Sequence, residues 1–179
     1  MSEQYECLNN KQINFIQKQS LFFVATADRE GLVNVSPKGM DSLRIIDKHQ
    51  LVWLNLTGSG NETAAHILAH DRMTLMWCSF DKQPLILRTY GHARVIRPDD
   101  VDWSALRSLF PGYQGARQLF SMAIDLVQTS CGFAMPLYDF VSERTTLNDW
   151  AKHRGQSGIE QYWQDKNRVS LDGKKTGTS

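Results

Sequence analysis

Apolar and polar positions alternate with period two over several short runs and with period 3.6 over a few longer ones; the short runs dominate the chain. The clearest is residues 85–96, LILRTYGHARVI, where Arg88, Tyr90, His92 and Arg94 share one face and Leu87, Thr89, Gly91, Ala93 and Val95 the other. A face of that kind is solvent, a subunit interface or the wall of a cleft. Residues 118–127 alternate in the same way and put Phe120, Met122, Ile124 and Leu126 together. LFFVATA (21–27) is continuously apolar and predicts a strand buried on both faces. Asp28 to Gly31 reads as a turn and Leu32 to Ser36 as the returning arm, which Pro37 should stop because it has no N–H to donate. Leu43–Ile46 and Leu51–Leu56 predict a second hairpin, and Met73–Cys78 a further strand.

The helical signals are fewer. Asn9 and Gln12 have capping-box spacing ahead of Ile13 and Ile16. Ser59 and Glu62 repeat that spacing before an alanine-rich stretch to His70, and Trp103, Leu106 and Phe110 fall at i, i+3, i+7. Near the C-terminus Leu147, Trp150 and Ala151 mark a helix that Gly155 closes, and Ser157 with Glu160 opens another carrying Ile159, Tyr162 and Trp163. The tail LDGKKTGTS should be mobile unless a partner holds it. Consecutive hairpins interrupted by one helix favour a barrel or sandwich over a βαβ sheet. At 179 residues the chain suits a single domain over 1–179, with a barrel over about 10–132 and a C-terminal helical extension over about 140–170.

Composition changes this picture mainly by exclusion. With 20 basic and 19 acidic residues there is no electrostatic case for nucleic acid or an anionic membrane. No apolar run approaches the roughly 18–20 residues of a membrane span, and the N-terminus lacks the apolar core of a signal peptide. Cys7, Cys78 and Cys131 are far apart and odd in number, which argues against a disulfide framework or a structural zinc site; a cytoplasmic protein is expected.

Three stretches carry candidate chemistry. In LTGSGNET (56–63) a strand gives way to a glycine-bearing turn and a helix start, with short hydroxyl and amide side chains, a pattern that suits either phosphate binding or an ordinary capped helix. Lys38 follows Asn34-Val35-Ser36-Pro37 and can meet a phosphate as a point charge, or be a surface lysine. Gln128 to Gly132 reads as a polar turn whose Gln128 and Ser130 could hydrogen-bond the edge of a heterocycle. Glu62, His66 and His70 run along one helical stripe, expected at the solvent or a cleft edge; His66 and His70 could form a two-histidine site, but the spacing is not H-E-x-x-H and no metal is expected. Cys131 has no adjacent base to activate it.

LFFVATADREGLVNVSPKG, LVWLNLTGSGNETAAHI, RMTLMW and LRTYGHARVI, in that order, resemble the pyridoxamine 5'-phosphate oxidase-related, FMN-binding split barrels over about residues 10–97. VQTSCG (127–132) and the R-x-x-L-x-x-W pattern from Arg144 to Trp150 extend the likeness to a subgroup and to most of the chain. The resemblance implies a mainly β fold, a six-stranded antiparallel split barrel with the C-terminal helices outside. It also implies a homodimer holding FMN in two inter-subunit clefts. Lys38 would bind the cofactor, and Val33, Asn34, Val35, Ser36 and Pro37 would pass beneath the isoalloxazine ring. Leu54, Asn55, Thr57, Gly58, Ser59, Asn61 and Thr63 would hold its phosphate and ribityl groups. Val33 replaces the arginine of the oxidase pattern and Ser59-Gly60-Asn61 its S-R-K turn, so phosphate binding falls to hydroxyls, backbone N–H groups and Lys38. The oxidase's substrate-binding tryptophan and arginine have no secure match, which counts against pyridoxamine phosphate as substrate. Three readings follow: an FMN-dependent oxidoreductase of an unidentified small molecule, a flavin, deazaflavin or haem carrier without turnover, and a dimeric structural protein with an empty cleft. No residue is assigned as catalytic; Arg88, Tyr90 and His92 are the candidates for a substrate-facing role.

Overall fold

A computed structural model describes residues 2–178; Met1 and Ser179, the ends of the expected domain and tail, lie outside the described residues. Eight strands and four helices follow one another as β1 (Glu3–Tyr5), α1 (Asn10–Gln17), β2 (Phe22–Thr26), β3 (Asn34–Lys38), β4 (Leu43–Asp47), β5 (Gln50–Leu56), α2 (Glu62–Ala69), β6 (Arg72–Cys78), β7 (Ile86–Ile96), α3 (Trp103–Arg107), β8 (Ala116–Ser130) and α4 (Thr146–Lys166). All pairings are antiparallel, in the order β3-β2-β6-β7-β8-β5-β4, with β1 also paired to β8. The sheet curls into a split barrel with its helices at the periphery. The resemblance implied a six-stranded barrel and the described residues form eight strands; β2 to β8 follow the seven segments read from the sequence, and β1 comes from a polar N-terminus with no alternation to reveal it.

The core is where the alternating faces meet. Trp53 stacks on Phe120 with ring centroids 4.5 Å apart, and Phe22 packs edge-on to Trp53 and stacked on Trp77. Val24, Leu51, Leu75, Leu87 and Met122 complete it without measurable exposure. A smaller cluster joins Val52, Leu54, Ile96, Phe110 and Leu119 to Trp103 and Leu106, so the expected apolar face of the short α3 is present although its helix ends at Arg107.

Several expectations need correction. β2 alternates between buried and half-buried residues, so LFFVATA is a one-sided strand whose second face is only partly covered. Pro37 lies inside β3, paired with Phe23; β3 is an edge strand, where a missing N–H leaves no ladder partner unsatisfied. The period of β8 breaks where Tyr90 pairs with Leu126 but Gly91 with Ile124, so Asp125 bulges and Val127 takes the core position that alternation gave to Leu126. β8 also runs on to Ser130, which makes Gln128–Ser130 strand rather than turn. At Gly155 the backbone has φ 66° and ψ 172°, the helix break its sequence predicted. The tail is not free: Thr176 is fully buried, Val169 bridges Lys175, and Lys174 pairs with Asp28. No helix among the described residues is long and apolar enough to cross a membrane.

Gly91 sits against the bulge so closely that a Cβ there would overlap the carbonyl oxygen of Ala123. Gly91→Ala should therefore cost about 3 kcal/mol or more, the upper range of overpacking penalties, because backbone cannot rotate away as a side chain can. Chemical denaturation checks it, with Gly112→Ala, whose Cβ would meet nothing within 4 Å on a backbone of ordinary φ, as the contrasting variant.

Candidate functional site

Strand β5 carries the chain from the core to the turn at Thr57–Asn61, and that turn is built by side chains from distant elements. Thr57 donates its hydroxyl to Gly115 O (2.9 Å) and accepts from Trp163 Nε1 (2.8 Å), while Asn167 Nδ2 donates to Gly58 O (3.1 Å). The capping box expected of Ser59 and Glu62 does not form. α2 begins at Glu62 with Asn61 ahead of it, and no side chain caps the helix. Both residues are engaged elsewhere: Glu62 accepts from the backbone N–H of Leu171, and Asn61 binds Gln118 and Thr178.

Below the turn lies Arg117, at the start of β8 and 5% exposed. Its Nε and Nη2 donate to Asn55 Oδ1 at 3.1 and 2.6 Å, and Nη1 and Nη2 each donate to Gly60 O at 3.2 Å. Gln118 adds donors to Asn55 Oδ1 (3.3 Å) and Asn61 Oδ1 (2.6 Å). All of these acceptors are neutral. Burial lowers the guanidinium to about 10, still charged at neutral pH.

Lys38 enters the same cavity from β3, its ammonium 5.4 Å from the Trp53 ring centroid. Burial, and secondly the charge on Arg117, depress it to about 8. Among the described residues no carboxylate is paired with either cation. Arg117 burdens the charged form of Lys38, burial burdens both, and an anion between them would relieve both.

The cavity has a volume of about 510 Å³. Asn34, Ser36 and Lys38 face it from β3, with Asn34 Nδ2 donating to Thr63 Oγ1 at 3.2 Å. Asn55, Gly58, Ser59, Asn61 and Thr63, all candidates from the sequence, line it too. Other sequence candidates do not. Val33 and Val35 are exposed on the outer face with Pro37, Leu54 is buried in the smaller core cluster, and Thr57 serves the turn's framework. Gln128 and Ser130 lie elsewhere on the sheet, accepting from Tyr90 Oη (3.0 Å) and Arg88 Nη1 (3.3 Å). His92 is held between Asp71 and Asp125, outside the cavity, and its imidazole is raised, chiefly by its hydrogen bond to Asp71. His66 is not at a surface: it is 1% exposed with Nδ1 at 3.1 Å from Thr26 Oγ1, and no cluster of three or more metal-binding side chains forms among the described residues. A second, more apolar cavity of about 650 Å³ shares Gly58 and Ser59 with the first, and is walled by Met40, Leu147, Trp150 and Tyr162, with Arg144 at its side.

Sequence reading missed Arg117 and the tail. The one available signal was a lone arginine beside Gln118 at the head of a strongly apolar strand, a position where a charge needs a reason.

The sequence profile described as pyridoxamine 5'-phosphate oxidase matches residues 8–131. The pyridoxamine 5'-phosphate oxidase family protein ustO of Aspergillus flavus is 33% identical over 187 aligned positions, covering 94% of this chain and 75% of that protein. Among solved structures, a candidate pyridoxamine 5'-phosphate oxidase from Lactobacillus delbrueckii is similar with a TM-score of 0.55 at 25% identity, covering 69% of this chain and 94% of that one. HupZ of Group A Streptococcus gives a TM-score of 0.56 at 20% identity, covering 66% and 91%, a likeness of fold alone.

With Lys38 at about 8 when folded and near 10.5 when unfolded, the unfolded chain binds the extra proton between those values. Stability of the ligand-free protein should therefore rise as pH climbs from about 8 to about 10.5, and Lys38→Met should abolish that rise while raising stability at pH 7 by ~2–3 kcal/mol. Sulfate, which does not titrate in this range, should bind more weakly as pH passes about 8, and in the variant, where Arg117 alone remains, weakly and without that change near pH 8; calorimetry at several pH values measures both.

Proposed function

The chain belongs to the pyridoxamine 5'-phosphate oxidase family, and on that premise we propose that it is a cytoplasmic homodimeric flavoprotein that holds FMN and exchanges hydride or electrons with a small organic molecule. The observation that carries this reading is a pair of cations, the buried Arg117 and the half-buried Lys38, facing one cavity with no carboxylate partner among the described residues. Such a pair suits the phosphate of a mononucleotide, because charge-assisted hydrogen bonds to phosphate return what burial of the cations costs. Arg117 supplies from β8 the guanidinium that Val33, just before β3, lacks. Ser36, Ser59, Thr63 and Asn34 add neutral donors of the kind that ribityl hydroxyls need.

The flavin would supply the redox chemistry; the chain's own residues bind, orient and shield it. The apolar cavity beyond Gly58 and Ser59, with Trp150 and Tyr162 edge to face at 5.3 Å, offers a dry seat for the molecule it reacts with. Leu32, Val33 and Val35 are 60–71% exposed beside the cofactor cleft, which fits a subunit contact there. A second subunit would then bring Gln128 and Ser130 to the ring edge that this chain's own copies do not reach. Nothing in the arrangement of Arg88, Tyr90 and His92 singles out a proton donor, so no catalytic acid or base is assigned.

Purified protein should show the visible absorbance of oxidised flavin, and mass spectrometry of the released compound should identify FMN. Arg117→Met should weaken FMN at least tenfold, the value of one or more charge-assisted bonds at about 1.5–3 kcal/mol, while leaving affinity for phosphate-free riboflavin unchanged. A colourless protein that takes up no added FMN would refute the reading. Light scattering at micromolar concentration reports the dimer.

A further inference from the structure

A phosphate cradle does not by itself limit how much molecule continues beyond the phosphate. In this chain the cleft is walled on one side by the C-terminal tail. Lys166, Val169, Ser170 and Leu171 line the same cavity as Lys38 and Arg117. That wall is pinned along its length. Asn167 is fully buried and donates to Gly58 O (3.1 Å); Leu171 N donates to both oxygens of Glu62 (3.2 and 3.0 Å). Asp172 accepts from Leu32 N (3.0 Å), and Lys174 pairs with Asp28 and donates to Glu30 O (3.2 Å). Farther on, Arg97 Nη2 donates to the carbonyl of the fully buried Thr176 (2.9 Å), and Asn61 Nδ2 donates to Thr178 Oγ1 (3.0 Å). The tail is thus bound to the turn before α2, to α2 itself, to the β2–β3 loop and to the end of β7. A segment fixed to four parts of the fold behaves as a wall, because moving it requires breaking several bonds together.

We propose that residues 169–171 make the site selective for ligands that end in a phosphomonoester, and that they exclude ligands whose phosphate continues into a second nucleotide. The proposal rests on the flavin reading above. Two observations converge on it. A terminal phosphomonoester carries close to two negative charges near neutral pH, matching Lys38 and Arg117, whereas each phosphate of a pyrophosphate bridge carries one. The cavity, about 510 Å³, also falls in the lower half of the usual range for small-molecule sites of about 300–1,000 Å³, suiting a mononucleotide. Selection therefore comes from a segment outside the barrel, after the last helix.

Flavin-depleted full-length protein titrated with FMN, FAD and riboflavin, followed by flavin fluorescence, tests this. FMN should bind about a hundredfold more tightly than FAD, and riboflavin should bind weakly because it lacks the anion. The double variant Glu62→Ala, Lys174→Ala removes the acceptor of Leu171 N–H and the pairing with Asp28, loosens the tail about residues 169–174, and should narrow the FMN-to-FAD ratio to tenfold or less. Reading the ratio cancels any general gain from removing the Glu62 charge. Leu171→Gly, at a residue 80% exposed, thins the wall without touching its attachments and should narrow the ratio in the same direction even if the double variant does not fold. FAD binding within about threefold of FMN in the unaltered chain would overturn the proposal and leave the flavin reading intact. So would a ratio unchanged in natively folded variants. Binding of none of the three flavins would take both down.

Discussion

A guanidinium buried without a carboxylate is the constraint on which the site depends. Removing an arginine from water is expensive, and fixed neutral dipoles recover only part of that cost. Asn55, Gly60 and Gln118 are all committed to Arg117 or to its nearest neighbours, and through Gln118 the network reaches Asn61 and the start of α2. The turn therefore has its shape because it must solvate a cation. Its ability to receive an anion follows from that, since backbone and amide dipoles that hold a positive charge in place leave the charge itself uncompensated. Lys38, brought from another strand into the same field, is the second half of the arrangement, and its depressed pKa is the sign of a charge waiting for a partner.

Much of the fold could be read from period-two alternation, because a strand with one face on a core must alternate, and Trp53, Phe120, Leu87 and Met122 do so in register. Alternation failed where register shifts. The extra residue at Asp125 moved Val127 inward, and a bulge has no signature in composition. Gly155 and the Asn9–Gln12 box were legible because each is a local device needing no distant partner.

The Ser59–Glu62 box was legible too, and wrong, because long-range partners outbid the local one. Leu171 lies 109 residues from Glu62, and Trp163 106 residues from Thr57. Lys38, Ser36 and the 58–63 turn could be named from the sequence as polar groups at strand ends. Arg117 could not, since its importance lies in what surrounds it, and the tail could not, since a polar glycine-containing terminus has the composition of a mobile one whether or not anything binds it.

Pro37 has a further consequence. β3 borders the cleft and is also an open edge of the sheet, carrying exposed Leu32, Val33 and Val35 nearby. Such an edge invites a strand from another molecule to zip onto it. A proline within a five-residue edge strand removes one of the few donors that such pairing would use, and its ring obstructs close approach. Association at this face is thereby steered toward side-chain contact and away from continuous sheet, so the apolar rim can serve as a contact surface without seeding fibrils.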